Sequence, residues 1–412
     1  MVETVGIDIV ALLSILALAW TFGLGAQRLG YPALMGELLA GILFGPAILG
    51  VVQPGGGLDV LAELGVFLLM VYVGLEVDVH DLFELGPAAL VVSVGAFFVP
   101  FGLGYGVGIY AGLPTAASLF VGMAMAATSL ATKSRILIDL DLLDTRIAGV
   151  LLGGALVADV GVLVAFAAVL SFVELGTVDV AGIALIVGKT LAFFAVALLV
   201  GDRVLPPVWD RLESAMERYE FVDKTAAFTI VLMVALAFAV FAMLVDLHMI
   251  IGGFVAGLFL RPADINEEVF EHIYGVTYDM AVGVFAPIFF VTVGFDLTLS
   301  VFREDLLLLV VLVAVAFVSK IVGSWLFAFP TELTSREGFV VGLGMNGRGA
   351  VEIVIASIGL SAGVIDRGMF SILVFIAIFT TALVPPTMKW GVAWLESAGE
   401  LVRLDEPADV EH

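Results

Sequence analysis

The chain has 412 residues, 62% of them hydrophobic and 14% charged, with a mean hydropathy of +1.17. A soluble globular domain is about half apolar and a quarter charged, so the composition excludes one and fits a polytopic membrane protein. A net charge of −23 leaves no basic patch for nucleic acid, and the lack of cysteine removes disulfides, thiolate metal sites and cysteine nucleophiles.

A membrane span needs about 20 mostly apolar residues. The pattern predicts an all-α chain with thirteen: 5–27, 32–52, 59–77, 86–111, 115–138, 147–173, 179–202, 224–245, 248–261, 277–295, 304–328, 336–360 and 368–394. The start, Met1 to Ile9, holds Glu3 and Asp8 and no basic residue, unlike a secretory signal. The fifth span contains Ala126-Ala127-Thr128-Ser129-Leu130-Ala131-Thr132. Small residues allow close packing, and hydroxyls bond back to their own helix. The sharper reading is an interrupted helix whose freed carbonyls and hydroxyls face a cation.

In the sixth span, Asp159 is the only charge between Ile147 and Phe172. A carboxylate at that depth is costly and by default marks an ion or proton pathway. The plainer reading pairs it with a basic residue on a neighbouring helix. Lys189, alone in the seventh span, reads as reaching for the interface. Gly201 to Thr225 reads as a cytoplasmic linker, with Pro206-Pro207 and an amphipathic piece from Val208 to Tyr219. The ninth span is short and carries Gly252, Gly253 and Gly257, a pattern associated with broken transporter helices. Lys320 lies well inside the eleventh span. It either snorkels to an interface or acts near Asp159.

The twelfth span reads Gly342-Leu343-Gly344-Met345-Asn346-Gly347-Arg348-Gly349-Ala350-Val351-Glu352. Each glycine weakens a helix by ~1 kcal/mol, so a break is expected around Gly344, Asn346, Gly347 and Gly349. Arg348 and Glu352 are spaced i, i+4 and can pair on one face, supporting the site. His80, His248, His272 and His412 lack metal-ligand spacing. There is no P-loop, dinucleotide fingerprint, HExxH or serine elbow, so neither an enzyme nor ATP-driven transport is expected, and no cofactor.

The halves resemble one another. Gly74 and Gly294 lie 220 residues apart, as do Thr128 and Arg348, while Gly41 and Gly257 lie 216 apart. Repeats separated by seven spans have opposite membrane orientation, and such inverted repeats hold substrates at the midplane. The expected divisions are a first repeat with connecting span at 1–202 (core helices 115–173), the linker at 203–223, a second repeat at 224–394 (core helices 304–360), and an acidic cytoplasmic tail at 395–412.

With the N-terminus outside, twelve basic residues fall at cytoplasmic loops or span ends: Arg28, Lys133, Arg135, Arg146, Arg203, Arg211, Arg218, Lys224, Arg261, Arg336, Lys389 and Arg403. Only Arg303 and Arg367 fall outside, a positive-inside bias. Acidic loops such as that holding Asp264, Glu267, Glu268 and Glu271 suit a salt-rich cytoplasm, as in a halophilic source. An ordinary acidic membrane protein is the other reading.

Together these residues resemble the monovalent cation:proton antiporter superfamily, particularly its second branch of Kef-type potassium efflux systems and NapA-type sodium/proton antiporters. The similarity rests on Gly36-Glu37-Leu38-Leu39-Ala40-Gly41-Ile42-Leu43-Phe44-Gly45-Pro46 and on Glu63-Leu64-Gly65-Val66 with Gly74-Leu75-Glu76-Val77-Asp78. It continues through Leu142-Leu143-Asp144-Thr145 ahead of Asp159, Pro287-Ile288-Phe289-Phe290 with Gly294, and Arg348-Gly349 with Glu352.

The resemblance implies two crossing broken helices in a core domain and a separate panel forming a homodimer in the plasma membrane. It also implies exchange of Na+ or K+ for H+. Asp159 matches the family's essential carboxylate, Thr128 and Ser129 its crossing region, and Lys320 its basic residue. The residue before that carboxylate is usually Asp, Asn or Gln, and here it is Ala158. Lys320 then needs another acid, Asp159 included, or stays neutral, and one proton per cation is the simpler stoichiometry. Kef-type members carry a nucleotide-binding regulatory domain for which the tail leaves no room, which points to a separate regulatory subunit if one exists. A sodium-coupled symporter or a regulated cation leak stays open beside antiport.

Overall fold

In a bilayer every backbone polar group must find its partner within the protein, so apolar stretches without a polar face fold as helices. The computed structural model describes residues 8–76, 86–140, 142, 145–175, 180–203, 207, 211, 224–245, 247–259 and 267–403. Apart from 207 and 211, the predicted linker at 204–223 lies outside these residues, as do Val77, Asp78, Asp144 and the tail from 404.

The helices are α1 (Ile9–Arg28), α2 (Ala33–Phe44), α3 (Gly56–Glu76), α4 (Pro87–Tyr110), α5 (Thr115–Ala126), α6 (Leu130–Asp139), α7 (Arg146–Leu175), α8 (Val180–Arg203) and α9 (Lys224–Leu244). Then follow α10 (Met249–Phe259), α11 (Glu267–Met280), a π-helical turn (Ala281–Phe285), α12 (Ala286–Phe295), α13 (Val301–Glu304), α14 (Leu306–Ala328), α15 (Ser335–Gly344), α16 (Ala350–Ser361) and α17 (Arg367–Ala398). Each predicted span falls on a helix or a helical pair. Among the described residues, eight helical segments are long and apolar enough to cross a membrane, and several apolar helices are shorter.

The chain forms two compact units, each drawn from both halves of the sequence. One comprises Met1–Gly25, Gly36–Val79 and Ala167–Phe295; the other comprises Ala26–Met35, His80–Phe166 and Asp296–His412.

The first unit is held by helices that approach through glycine. A Cβ on Gly41 of α2 would lie 2.2 Å from the Val291 carbonyl oxygen and 2.9 Å from the Gly294 Cα of α12. A Cβ on Gly257 of α10 would meet the Val71 carbonyl oxygen at 2.2 Å and the Gly74 Cα of α3 at 2.9 Å. These are the two glycine pairs picked out by the internal repeat, with partners exchanged between halves. Gly252 packs against Phe238 and Ala239 of α9, and Gly253 against Phe67. The glycines of α10 thus serve close packing, and the helix they occupy is continuous and buried from Ile250 to Leu258. That differs from the broken helix their number suggested.

The second unit carries two interrupted helices, α5–α6 and α15–α16, with α4 packed on both α5 and α14. Its core joins Val92, Leu151, Val340, Leu343, Met345 and Met388. Thr334 and Glu337 cap α15 reciprocally, each side chain meeting the other's backbone N–H. The buried Glu337 also receives Arg146, the first residue of α7, at 2.5 Å. The segment after α17 crosses back over these same helix starts. Glu400 accepts from Thr334 (2.8 Å) and Arg336 (2.6 Å), the Arg146 N–H donates to the Val402 carbonyl (3.1 Å), and Thr145 bridges to Arg403.

Candidate ion site

A helix that stops inside a protein leaves its last four carbonyls without intrahelical donors. At the end of α5 all four are met. The Ala127 N–H donates to the Met123 carbonyl (3.1 Å). Arg348 donates to the carbonyls of Ala124 (2.6 Å) and Met125 (3.0 Å), and Lys320 of α14 donates to that of Ala126 (2.5 Å). The guanidinium of Arg348 and the amine of Lys320 therefore sit on the negative end of the α5 dipole. Arg348 is anchored in turn by Glu352 at 3.1 Å, and both side chains are fully buried.

The end of α15 is closed differently. Its last four carbonyls accept from the N–H of Met345, the Asn346 side chain, and the N–H groups of Asn346 and Gly347. The extended carbonyls that follow are taken by hydroxyls. Thr128 donates to Met345 (3.3 Å) and Gly347 (3.1 Å), while Thr132 and Thr381 donate to Arg348 (3.2 and 3.3 Å). The Asn346 Oδ1 and Glu352 Oε2 atoms are buried with no hydrogen-bond partner among the described residues.

The two interruptions touch. Ser129 caps α6 by accepting the Thr132 N–H at 3.3 Å. A Cβ on Gly349, which starts α16, would lie 2.5 Å from the Ser129 hydroxyl. Ser129 and Gly349 are 220 residues apart, the spacing that also relates Thr128 to Arg348. Only a residue without a side chain fits at that contact.

Asp159 is buried on α7. Earlier on this helix Leu151 packs on Gly344, and a Cβ on Gly154 would meet the Met345 side chain, so α7 runs along the second interruption. Asp159 interacts electrostatically with two buried lysines, Lys133 and Lys320. Ala158 is buried and brings no polar group.

The structure thus gathers Thr128, Ser129, Lys320, Arg348 and Glu352 about the two breaks, with Gly344, Asn346, Gly347 and Gly349 forming the second. The hydrogen bond of Lys320 goes to the Ala126 carbonyl, a backbone partner that a search for a partner acid does not consider. Lys133 is the residue that sequence reasoning passed over. Counted with the cytoplasmic loops and span ends, it is instead 2% exposed on α6 and donates to Thr128 Oγ1 and to the Ser129 carbonyl (3.1 Å). The available signal was its spacing: four residues after Ser129, on the helix that the first break begins.

The profile of the transmembrane sodium/hydrogen exchanger family matches residues 12–394. The Na+/H+-K+ antiporter GerN of Bacillus cereus is 32% identical over 363 residues, covering 88% of this chain and 90% of that protein. The probable Na+/H+ antiporter GerT of the same organism is 31% identical over 362 residues, covering 88% and 93%. Among solved structures, the sodium–proton antiporter MjNhaP1 of Methanocaldococcus jannaschii at pH 8 shares the fold, with a TM-score of 0.69, 18% identity, and coverage of 97% of this chain and 99% of that one.

Proposed function

Because the chain belongs to the transmembrane sodium/hydrogen exchanger family, we propose that Asp159 is the carboxylate through which it works. The protein is a multi-pass membrane antiporter of a monovalent cation and protons, not an enzyme. Its substrates are Na+ or K+ and H+, and the exchange calls for no cofactor. The observation that supports Asp159 most is its burial on α7, the helix that runs along the second interruption.

Cation and proton compete for this carboxylate. Either one neutralises it, and the neutral site changes sides in an alternating-access cycle. The bare carboxylate faces the full desolvation cost of a charge in the membrane interior, which prevents movement without exchange. Thr128 and Ser129 supply oxygen to the cation. Arg348 and Lys320 hold the first interruption, and Glu352 holds Arg348. With alanine at position 158 a single carboxylate exchanges one proton per cation, so the cycle is electroneutral. The chain works as a homodimer in the plasma membrane, with its N-terminus outside and its acidic tail in the cytoplasm.

Everted vesicles carrying the protein test this by pH-gradient dequenching, titrated separately with Na+, K+ and Li+. Asp159→Asn abolishes cation-dependent dequenching; retained exchange overturns the mechanism. In proteoliposomes the reversal point is independent of membrane potential, and a clear voltage effect rules out electroneutral exchange.

A further inference from the structure

Lys133 has no role in that scheme, yet its ammonium lies where the cation is expected. It is buried, and it donates to Thr128 Oγ1 and to the Ser129 carbonyl. Thr128 has a single hydroxyl proton, which it directs to the carbonyls of Met345 and Gly347. What it turns toward Lys133 is therefore oxygen lone pairs. The charged groups that interact with this lysine are Asp159 and Arg348. A hydroxyl oxygen, a carbonyl oxygen and a carboxylate are also what replaces the hydration shell of Na+ or K+. Lys320 donates elsewhere, to the Ala126 carbonyl.

We propose that Lys133 is a tethered cation: its ammonium fills the oxygen shell formed by Thr128 and Ser129 beside Asp159, and a transported cation binds only by displacing it. This rests on Asp159 being the carrier carboxylate. Lys133 is thereby a specificity-determining residue. A site filled part of the time by an internal competitor shows an apparent affinity reduced by the fraction of time that it is free. The protein then responds at cation concentrations set by the lysine and not by the shell alone.

The test is thermal melting of the purified, detergent-solubilised full chain. NaCl or KCl replaces choline chloride at constant ionic strength, because a cation that binds the folded state raises its melting temperature. Lys133→Gln lowers the cation concentration at half-maximal stabilisation about tenfold, the shift expected if the ammonium occupies the shell about nine-tenths of the time. Lys133→Arg keeps the charge, and so protects folding. Its planar fork does not fit a shell shaped for an ammonium, so it shifts the midpoint in the same direction by a smaller factor. A midpoint at or above wild type in either variant that folds, while Asp159→Asn abolishes stabilisation by Na+ and K+, overturns the tethered cation and leaves the carrier in place. Stabilisation retained in Asp159→Asn overturns the carrier assignment and the proposal with it.

Discussion

The two interruptions are matched in sequence position and opposite in chemistry. The break after α5 is closed with borrowed basic side chains: the guanidinium of Arg348 and the amine of Lys320 reach its last carbonyls. The break after α15 is closed largely by its own following N–H groups and by neutral side chains, namely Asn346, Thr128, Thr132 and Thr381. A repeat supplies the same backbone twice, but it does not supply the same potential twice. One helix end has its partial negative charge met by the full positive charge of a guanidinium, and the other keeps its own. The field at the meeting point is therefore lopsided, although the chain path that makes it is not.

The largest effect should come from removing the borrowed charge. Arg348→Ala takes the donors from Ala124 and Met125 and leaves Glu352 buried without its partner. Breaking a buried pair from one side costs about 3–5 kcal/mol, so melting in detergent should fall steeply or folded protein should be lost. Wild-type melting would end the contrast between the breaks.

Next is the contact itself. Gly349→Ala drives a methyl against Ser129, and overpacking of this kind costs about 1–3 kcal/mol. Ser129→Gly in the same chain should recover part of that loss. A double variant no better than the single one would show that the contact is not what limits the position. At the neutral break, Thr381→Val removes a hydroxyl that donates to the Arg348 carbonyl and accepts its N–H. The expected loss is about 1 kcal/mol. A loss as large as that of Arg348→Ala would mean that charge is not what separates the two ends.

The smallest effect sets the baseline. Arg367 and Asp296 form an exposed pair at 3.1 Å. Arg367→Ala should change melting by about 0.5 kcal/mol or less, and less still in high salt.

Much of the fold was legible because lipid allows few alternatives: long apolar runs had to be helices. The second break was legible from its glycines. Asp159 was legible as the one charge in its span. The first break was harder, because Ala127-Thr128-Ser129 contains no helix breaker and reads equally as a packing surface. Lys133 was missed since it stands near a span end beside Ser134 and Arg135, where a lysine ordinarily reaches water. The partner of Lys320 was out of reach in principle, because a backbone carbonyl has no residue type to search for. Gly252, Gly253 and Gly257 misled in the other direction: glycine permits a break and a close approach alike, and only the neighbours decide which. The two units were not readable as stretches of sequence, because each is assembled from three separate segments.

The short segment after α17 ties together the starts of two helices, α15 through Glu400 and α7 through Val402. The first of these helices ends at the neutral break, and the second carries Asp159. A pull on the chain beyond Arg403 is thus delivered to the first turn of the Asp159 helix and to the cap of α15 together. The acidic end of the protein is a handle on both helices, one that can be gripped far from either interruption.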